Sequence, residues 1–464
     1  MQTSPYAKAT SFIDSWLARQ YSDSTIPGIA VAIAHKGKLL FNNAYGYANL
    51  ETGEKLRPEH LFRIASHSKM FTATLIMQYV EAGKARLDDY AVLYLPWLAE
   101  HTDKRWLKVT LRQLLSHSAG VTRDGLDADF WEMEQPFPKL EAFKKSVLEA
   151  SLVVDQNTQF KYSNQGFALL GLVVEALAGK PYNEVVQEKI IAPLNLKHTG
   201  IEYDDHKKAQ FVTGYTHPDL DKVRRPVGQS VTYAMSAATG AYSNAADLSA
   251  FLYALQIGSK QLLDDESKRE MQRTQWRKNN TTYTDEYALG LTVEYFSNRR
   301  FIGHGGGFVG QLTGSYIDPE EELSVGVLTN CLGSSHRQLV RGIIAILSYY
   351  KEHADESTPE KFLPFLGRYR QIWETLEIVA VGNKLLTVFP GAFPFEDPEE
   401  LEYVNETTLR VKRAGGYAGE GELIHFAFNE SGQVKSIRYT GCTMLPEQEW
   451  LDQQRSRPII QALN

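Results

Sequence analysis

Phe62-Arg63-Ile64-Ala65-Ser66-His67-Ser68-Lys69-Met70-Phe71 sets a serine at the mouth of a helix and a lysine three residues further on. From Met70 to Val80 apolar residues recur at three- and four-residue spacing, and Gly83 closes the run. The pattern predicts a helix with Ser66 at or just inside its N-terminus. Free backbone N–H groups and the positive end of the helix dipole favour an alkoxide or an incoming anion there. Residues three apart share a helix face, so Lys69 lies beside Ser66. A serine hydroxyl becomes a good nucleophile when a neighbour takes its proton, and a desolvated lysine of lowered pKa can do so. Serine is also a common N-cap, so the rest of the chain has to decide between the two readings.

Outward from this stretch the chain reads in two parts. Ile29–His35, the turn Lys36-Gly37-Lys38 and Leu39–Ala48 predict a hairpin ahead of the helices. Helical periodicity dominates from Ser66 to about Gly200, and strands return over Tyr287–Tyr295, Arg300–Gly303, Gln311–Asp318 and Leu323–Asn330, followed by a helix from Gln338 to Tyr350. Strands at both ends of a helical middle predict an α+β domain: an antiparallel sheet of N- and C-terminal parts, flanked by helices, with a helical region inserted. Residues 351–361, charged and without apolar period, read as a linker. Beyond them short strands at near-regular spacing predict a small antiparallel barrel or sandwich of roughly eight strands. The expected division is therefore a domain over residues 1–350 and a barrel over 362–464.

Composition narrows the function. The 464 residues are 43% hydrophobic and 23% charged with a net charge of -7, and no Lys/Arg block is present, which argues against a nucleic-acid partner. Cys331 and Cys442 fall in the two different parts, so a disulfide framework is not indicated. The N-terminus carries no signal-peptide pattern and no window reaches the roughly 18–20 apolar residues of a membrane span. A cytoplasmic location without a membrane span is the expectation, a trimmed secreted form being the alternative.

Two further stretches carry chemistry. In Phe160-Lys161-Tyr162-Ser163-Asn164-Gln165-Gly166, read as an irregular segment before a helix from Phe167, Tyr162 and Asn164 project to the same side. A phenol beside a lysine can exist partly as phenolate and accept a proton, and a carboxamide can bond both the lysine and a substrate amide. The same residues also fit a capped turn. In Gly303-His304-Gly305-Gly306-Gly307-Phe308 the glycines let a substrate backbone approach closely, and the Gly307 N–H can join that of Ser66 in an oxyanion hole. A glycine cluster equally marks a bend or bulge.

Taken together, Ser66-x-x-Lys69, Tyr162-x-Asn164 and His304-x-Gly306 resemble the three motifs of the serine β-lactamase and penicillin-binding-protein superfamily. The likeness is to its class C β-lactamase-like branch, which also holds D-alanyl-D-alanine carboxypeptidases, D-aminopeptidases and esterases. Leu114–Gly120 and Thr239–Leu248 add to the resemblance, which covers about Ser11 to Tyr350; the C-terminal part resembles a lipocalin-like barrel. The resemblance implies acyl transfer without metal or cofactor. Ser66 attacks a carbonyl, Lys69 and Tyr162 move the proton, and the N–H groups of Ser66 and Gly307 hold the oxyanion. Asn164 orients lysine and substrate, and His304 and Gly306 lie on the substrate strand.

Typical β-lactamases carry Lys-Thr/Ser-Gly at the third motif, where this chain has His304-Gly305-Gly306. An imidazole, of ordinary pKa about 6.5, is mostly neutral at neutral pH, and glycine offers no hydroxyl, so strong β-lactamase activity is not expected. The expected function is a peptidase or amidase on small peptides, D-amino-acid ones included, with a carboxylesterase or weak β-lactamase as alternatives. A non-catalytic scaffold is the alternative of another class. A small-molecule or short-peptide substrate is the expected partner, and a homo-oligomer is compatible with the chain. The barrel reads as an apolar-ligand binder, or as a lid or assembly element.

Overall fold

A computed structural model describes residues 4–277, 286–296, 298–395, 398–415 and 419–456. Their packing separates two units: residues 25–341, and the N-terminal residues up to Ser24 together with those from Gly342 onward.

In the first unit nine strands form one antiparallel sheet among the described residues. They are β1 (Gly28–His35), β2 (Lys38–Asn49), β3 (Glu54–Lys55), β4 (Trp276–Arg277), β5 (Glu286–Tyr287), β6 (Thr292–Phe296), β7 (Arg299–Phe308), β8 (Gln311–Asp318) and β9 (Leu323–Thr329). The order is β3-β2-β1-β9-β8-β7-β6-β5-β4. The first hairpin thus docks on the last strand, Ile29 opposite Thr329, and one sheet is built from both ends of the unit as the pattern predicts. Lys36 and Gly37 have φ of 52° and 72°, the left-handed pair that matches a two-residue turn to the twist of its strands. β1 is buried through Ala34, which is why Ile29–Ala34 reads as a continuous apolar run; β9 is buried throughout, Ser324 and Thr329 included.

Three helices matter for the site: α1 (Ser68–Glu81), α2 (Asn164–Ala178) and α3 (Ala245–Ala254). α1 is apolar on nearly every side and buried accordingly. α2 packs along it, and α3 packs on β1, β8 and β9. Phe71 of α1 stacks flat on Phe251 of α3, with centroids 4.1 Å apart. Rigid packing of this kind holds the start of α1 in place against the sheet.

The second unit contains a closed eight-stranded antiparallel barrel. Its strands run Gly367–Arg370, Thr375–Val381, Lys384–Val388, Glu399–Asn405, Thr408–Arg413, Leu423–Phe428, Val434–Tyr439 and Cys442–Pro446, the last closing on the first at Tyr369 opposite Pro446. Phe365, Tyr369, Leu376, Leu385, Phe426 and Met444 are among the side chains that form its core. Residues 4–24 and 342–350 share the sequence pattern of the first domain but are grouped with the barrel by packing. Within this unit the Arg368 guanidinium lies against the Ser15 carbonyl at 3.2 Å and pairs with Glu377 at 2.8 Å and Glu447 at 3.2 Å. Cys331 and Cys442 are free thiols. Among the described residues no helix is long and apolar enough to cross a membrane.

Candidate active site

Phe62–Arg63 pairs with Ala241–Ser243, and the chain then turns through the 3-10 run Ala65–His67 directly into α1. Ser66 therefore sits in the 3-10 turn, two residues ahead of the α-helix proper. Ala65 holds φ at 45°, a left-handed conformation that costs a residue with a Cβ, and the surroundings fix it. Ser68 Oγ donates to the Ala65 carbonyl at 2.6 Å and accepts from the Ala241 N–H at 2.9 Å. His67 Nδ1 donates to the Ile64 carbonyl at 2.9 Å. Burial pushes the pKa of His67 down to about 4, so this ring is neutral at neutral pH.

Lys69 Nζ lies 3.1 Å from Ser66 Oγ, and the lysine is fully buried. Nζ also donates to Asn164 Oδ1 at 2.7 Å and to the Ala238 carbonyl at 2.9 Å. Burial drives its pKa well below the ordinary 10.5; Asp124 pulls it back up and Arg123 adds to the fall. A neutral amine has two N–H bonds and one lone pair. In that form the Asn164 and Ala238 carbonyl oxygens take its two N–H groups, and the lone pair faces Ser66 Oγ.

Tyr162 donates its hydroxyl to Ser66 Oγ at 2.8 Å. Burial raises its pKa above the ordinary 10.0, outweighing the bond to Ser66. Burial thus disfavours the partial phenolate expected of Tyr162 and favours the neutral amine of Lys69. The segment also differs from the expected extended loop. α2 begins at Asn164, not Phe167, because Ser163 is its N-cap, accepting from the Gly166 N–H at 2.8 Å and donating to the Thr122 carbonyl at 2.7 Å. Beneath it His117 packs 4.2 Å from the Tyr162 ring, and its Nδ1 accepts from the Ser163 N–H at 3.1 Å.

The glycine cluster is neither bend nor bulge. β7 runs straight through Phe308, with His304 opposite Ser315 and Gly306 opposite Thr313. A Cβ on Gly306 would stand 2.2 Å from the Ile64 carbonyl and 2.4 Å from Thr313 Oγ1, so the strand approaches the Ser66 turn more closely than any other residue permits. Gly307 follows it, exposed on the strand. His304 is buried: Nδ1 donates to the Gly305 carbonyl at 2.5 Å, and Nε2 lies 3.2 Å from the Tyr287 hydroxyl. Its ring is 6.4 Å from that of Tyr162.

Ser66, Lys69, Tyr162 and Asn164 thus meet in one cluster, with His304 beside it and Gly306 against the Ser66 turn. Three contributors are absent from the sequence reading. Asp124 accepts from Asn164 Nδ2 at 2.7 Å. Arg63, fully buried, lays its guanidinium 4.1 Å from the Phe308 ring while its backbone N–H donates to Gln311 Oε1 at 2.8 Å, tying the Ser66 segment to the β7–β8 hairpin. Ala238 supplies only a carbonyl, for which no residue type is diagnostic. A loop aspartate and an arginine resemble surface charge in sequence; position directly before the serine turn was the one available sign for Arg63.

A serine hydroxyl between a buried lysine and a phenol, facing a glycine strand, defines a serine-hydrolase type of site. Residues 13–347 match the beta-lactamase family, and the chain belongs to it. Among curated proteins it is 28% identical to the teichoic acid D-alanine hydrolase of Staphylococcus aureus over 198 residues, 43% of this chain and 47% of that protein. The first curated relatives are matched over only 40% of their length, so the chain spans less than half of them. Among solved structures, the octameric penicillin-binding protein homologue from Pyrococcus abyssi superposes with a TM-score of 0.64 at 21% identity, covering 94% of this chain and 99% of that one. The D-amino acid amidase from Ochrobactrum anthropi SV3 gives 0.63 at 21% identity, covering 73% and 99%. At these identities the likeness establishes the fold.

Proposed function

We propose that the chain is an acyl-transfer hydrolase that forms an ester on Ser66 and cleaves small amides or peptides, D-amino-acid ones included. One observation carries the reading: Ser66 Oγ is held 3.1 Å from Lys69 Nζ and 2.8 Å from the Tyr162 hydroxyl, with both amine N–H groups engaged elsewhere. Lys69 takes the serine proton as Oγ attacks the substrate carbonyl. The N–H groups of Ser66 and Gly307 receive the oxyanion. Tyr162 gives its proton to the leaving nitrogen and is reprotonated from Lys69. Water then attacks the acyl-enzyme by the reverse relay.

The preference for amides without a gripped carboxylate rests on the third motif. His304 is buried against Tyr287, and Gly305 has no side chain. The D-amino-acid preference rests on the hydrolase and amidase names of the relatives above. An esterase is the second reading, favoured by the same lack of a carboxylate grip, since esters need less leaving-group protonation. Turnover of D- and L-amino-acid p-nitroanilides, p-nitrophenyl esters and a chromogenic cephalosporin, each with Ser66→Ala as blank, tests the proposal. Ser66-dependent amide turnover that favours D over L, with poor cephalosporin turnover, is expected. A preference for the cephalosporin overturns the substrate class.

A further inference from the structure

The side-chain amide of Asn164 has two ends of nearly equal size, and only one of them serves Lys69. With Oδ1 toward Nζ, an N–H of the amine has its acceptor. With Nδ2 there, donor meets donor and the lone pair is drawn away from Ser66. The selection is made at the other end of the amide, where Nδ2 donates to Asp124 Oδ1 at 2.7 Å, because a carboxylate can only accept.

Asp124 is built into this place. Its side chain is 8% exposed, with Oδ2 3.3 Å from Arg123 Nε. The loop that carries it is clamped to the start of α2, where the N–H groups of Asn164 and Gln165 both donate to the Arg123 carbonyl, at 2.8 and 3.1 Å. A carboxylate beside a helix N-terminus is also favoured by the helix dipole. Asp124, Asn164, Lys69 and Ser66 then form one line of contacts of 2.7, 2.7 and 3.1 Å.

We propose that Asp124 is a positioning residue for acylation, orienting Asn164 so that the lone pair of Lys69 stays on Ser66. The proposal rests on the reading of Ser66 as the acylated nucleophile. It has an electrostatic consequence as well. The groups facing Lys69 are Asp124 and Arg123 from the loop, Tyr162 and Asn164 from the start of α2, and Ser66 and His67 from its own turn; the 236–239 turn offers only the Ala238 carbonyl. Asp124 supports the protonated amine and Arg123 opposes it. Removing the carboxylate charge lowers the pKa of Lys69, so the acidic limb of kcat/KM moves to lower pH. A site that merely loosened would hydrate Lys69 and move the limb the other way, toward the ordinary lysine value.

Full-length Asp124→Asn, Asp124→Glu and Arg123→Ala, with Ser66→Ala as blank, are assayed on a p-nitrophenyl ester across pH, alongside thermal unfolding. Asp124→Asn is expected to lose ~10- to 100-fold in kcat, the scale of a misplaced catalytic group, with KM little changed and the acidic limb moved to lower pH. Asp124→Glu recovers part of the loss. Arg123→Ala, which keeps the carboxylate and removes a largely exposed charge, leaves kcat within about twofold. An unchanged kcat in Asp124→Asn, a limb moved upward in it, or, where Asp124→Asn does not fold, an Asp124→Glu enzyme with the wild-type kcat overturns the role of Asp124. Turnover that survives in Ser66→Ala overturns the acyl-enzyme reading beneath it, which is a separate result.

Discussion

Replacing Gly306 by alanine tests how closely β7 must approach the nucleophile. The added Cβ would lie 2.2 Å from the Ile64 carbonyl, 2.4 Å from Thr313 Oγ1 and 2.9 Å from His67 Nδ1. Ordinary contact begins near 3.4 Å, and the nearest of the three obstacles is backbone. The strand has to retreat from the Ser66 turn by about 1 Å, and a shift of that size between reacting groups costs on the order of 10²-fold in rate. Overpacking of this kind also costs ~1–3 kcal/mol of stability. Gly305 is the control, since a Cβ there meets nothing nearer than the Thr313 carbonyl at 3.6 Å. Steady-state turnover of an activated ester by the two alanine variants, with unfolding followed in parallel, should show a large kcat loss for Gly306→Ala and a change within about threefold for Gly305→Ala. A Gly306→Ala enzyme with wild-type kcat would refute the reasoning, as would equal losses in both.

Lys69 and Tyr162 give two more tests. Since burial holds Lys69 well below 10.5, the base is already neutral under conditions where an exposed lysine is charged. kcat/KM is expected to rise from the acid side and level off below pH 10.5; Lys69→Arg, whose guanidinium keeps its proton, should lose turnover across the whole range. A pH profile that climbs through 10.5 contradicts the assignment. Tyr162→Phe removes the proton donor to the leaving group and should cost ~10²- to 10⁴-fold on an amide. On a p-nitrophenyl ester, whose leaving group departs as an anion, the loss should be smaller; equal losses would argue against the donor role.

The part of this site that was legible in sequence is the local part. Ser66 and Lys69 share one helix turn, and apolar spacing alone places them side by side. Tyr162 is 96 residues away from Ser66, and only its company with Asn164 and the glycine strand singled it out. The start of α2 was misplaced because Gly166 looks like a breaker, whereas its N–H is what Ser163 caps. The regular course of β7 through four glycines was equally hidden, since β8 and the Ser66 turn, not its own side chains, hold that strand. Asp124 and Arg63 act through partners that folding brings in, and apart from the place of Arg63 directly before the serine turn nothing in their immediate surroundings distinguishes them from solvated charges. In the barrel, alternating strands such as Leu423–Phe428, with Ile424 and Phe426 buried, are readable, while Cys442–Pro446 is short, ends in proline and is defined by closing on a distant strand.

The central claim is that Ser66 carries the acyl group. Intact-protein and peptide mass spectrometry after brief exposure to a fluorophosphonate and to a slowly deacylating p-nitrophenyl ester reads this directly. One adduct per chain, mapped to the peptide holding Ser66, absent from Ser66→Ala and formed far more slowly in Lys69→Arg, is the predicted result. An adduct on another residue, or labelling that persists in Ser66→Ala, would contradict it.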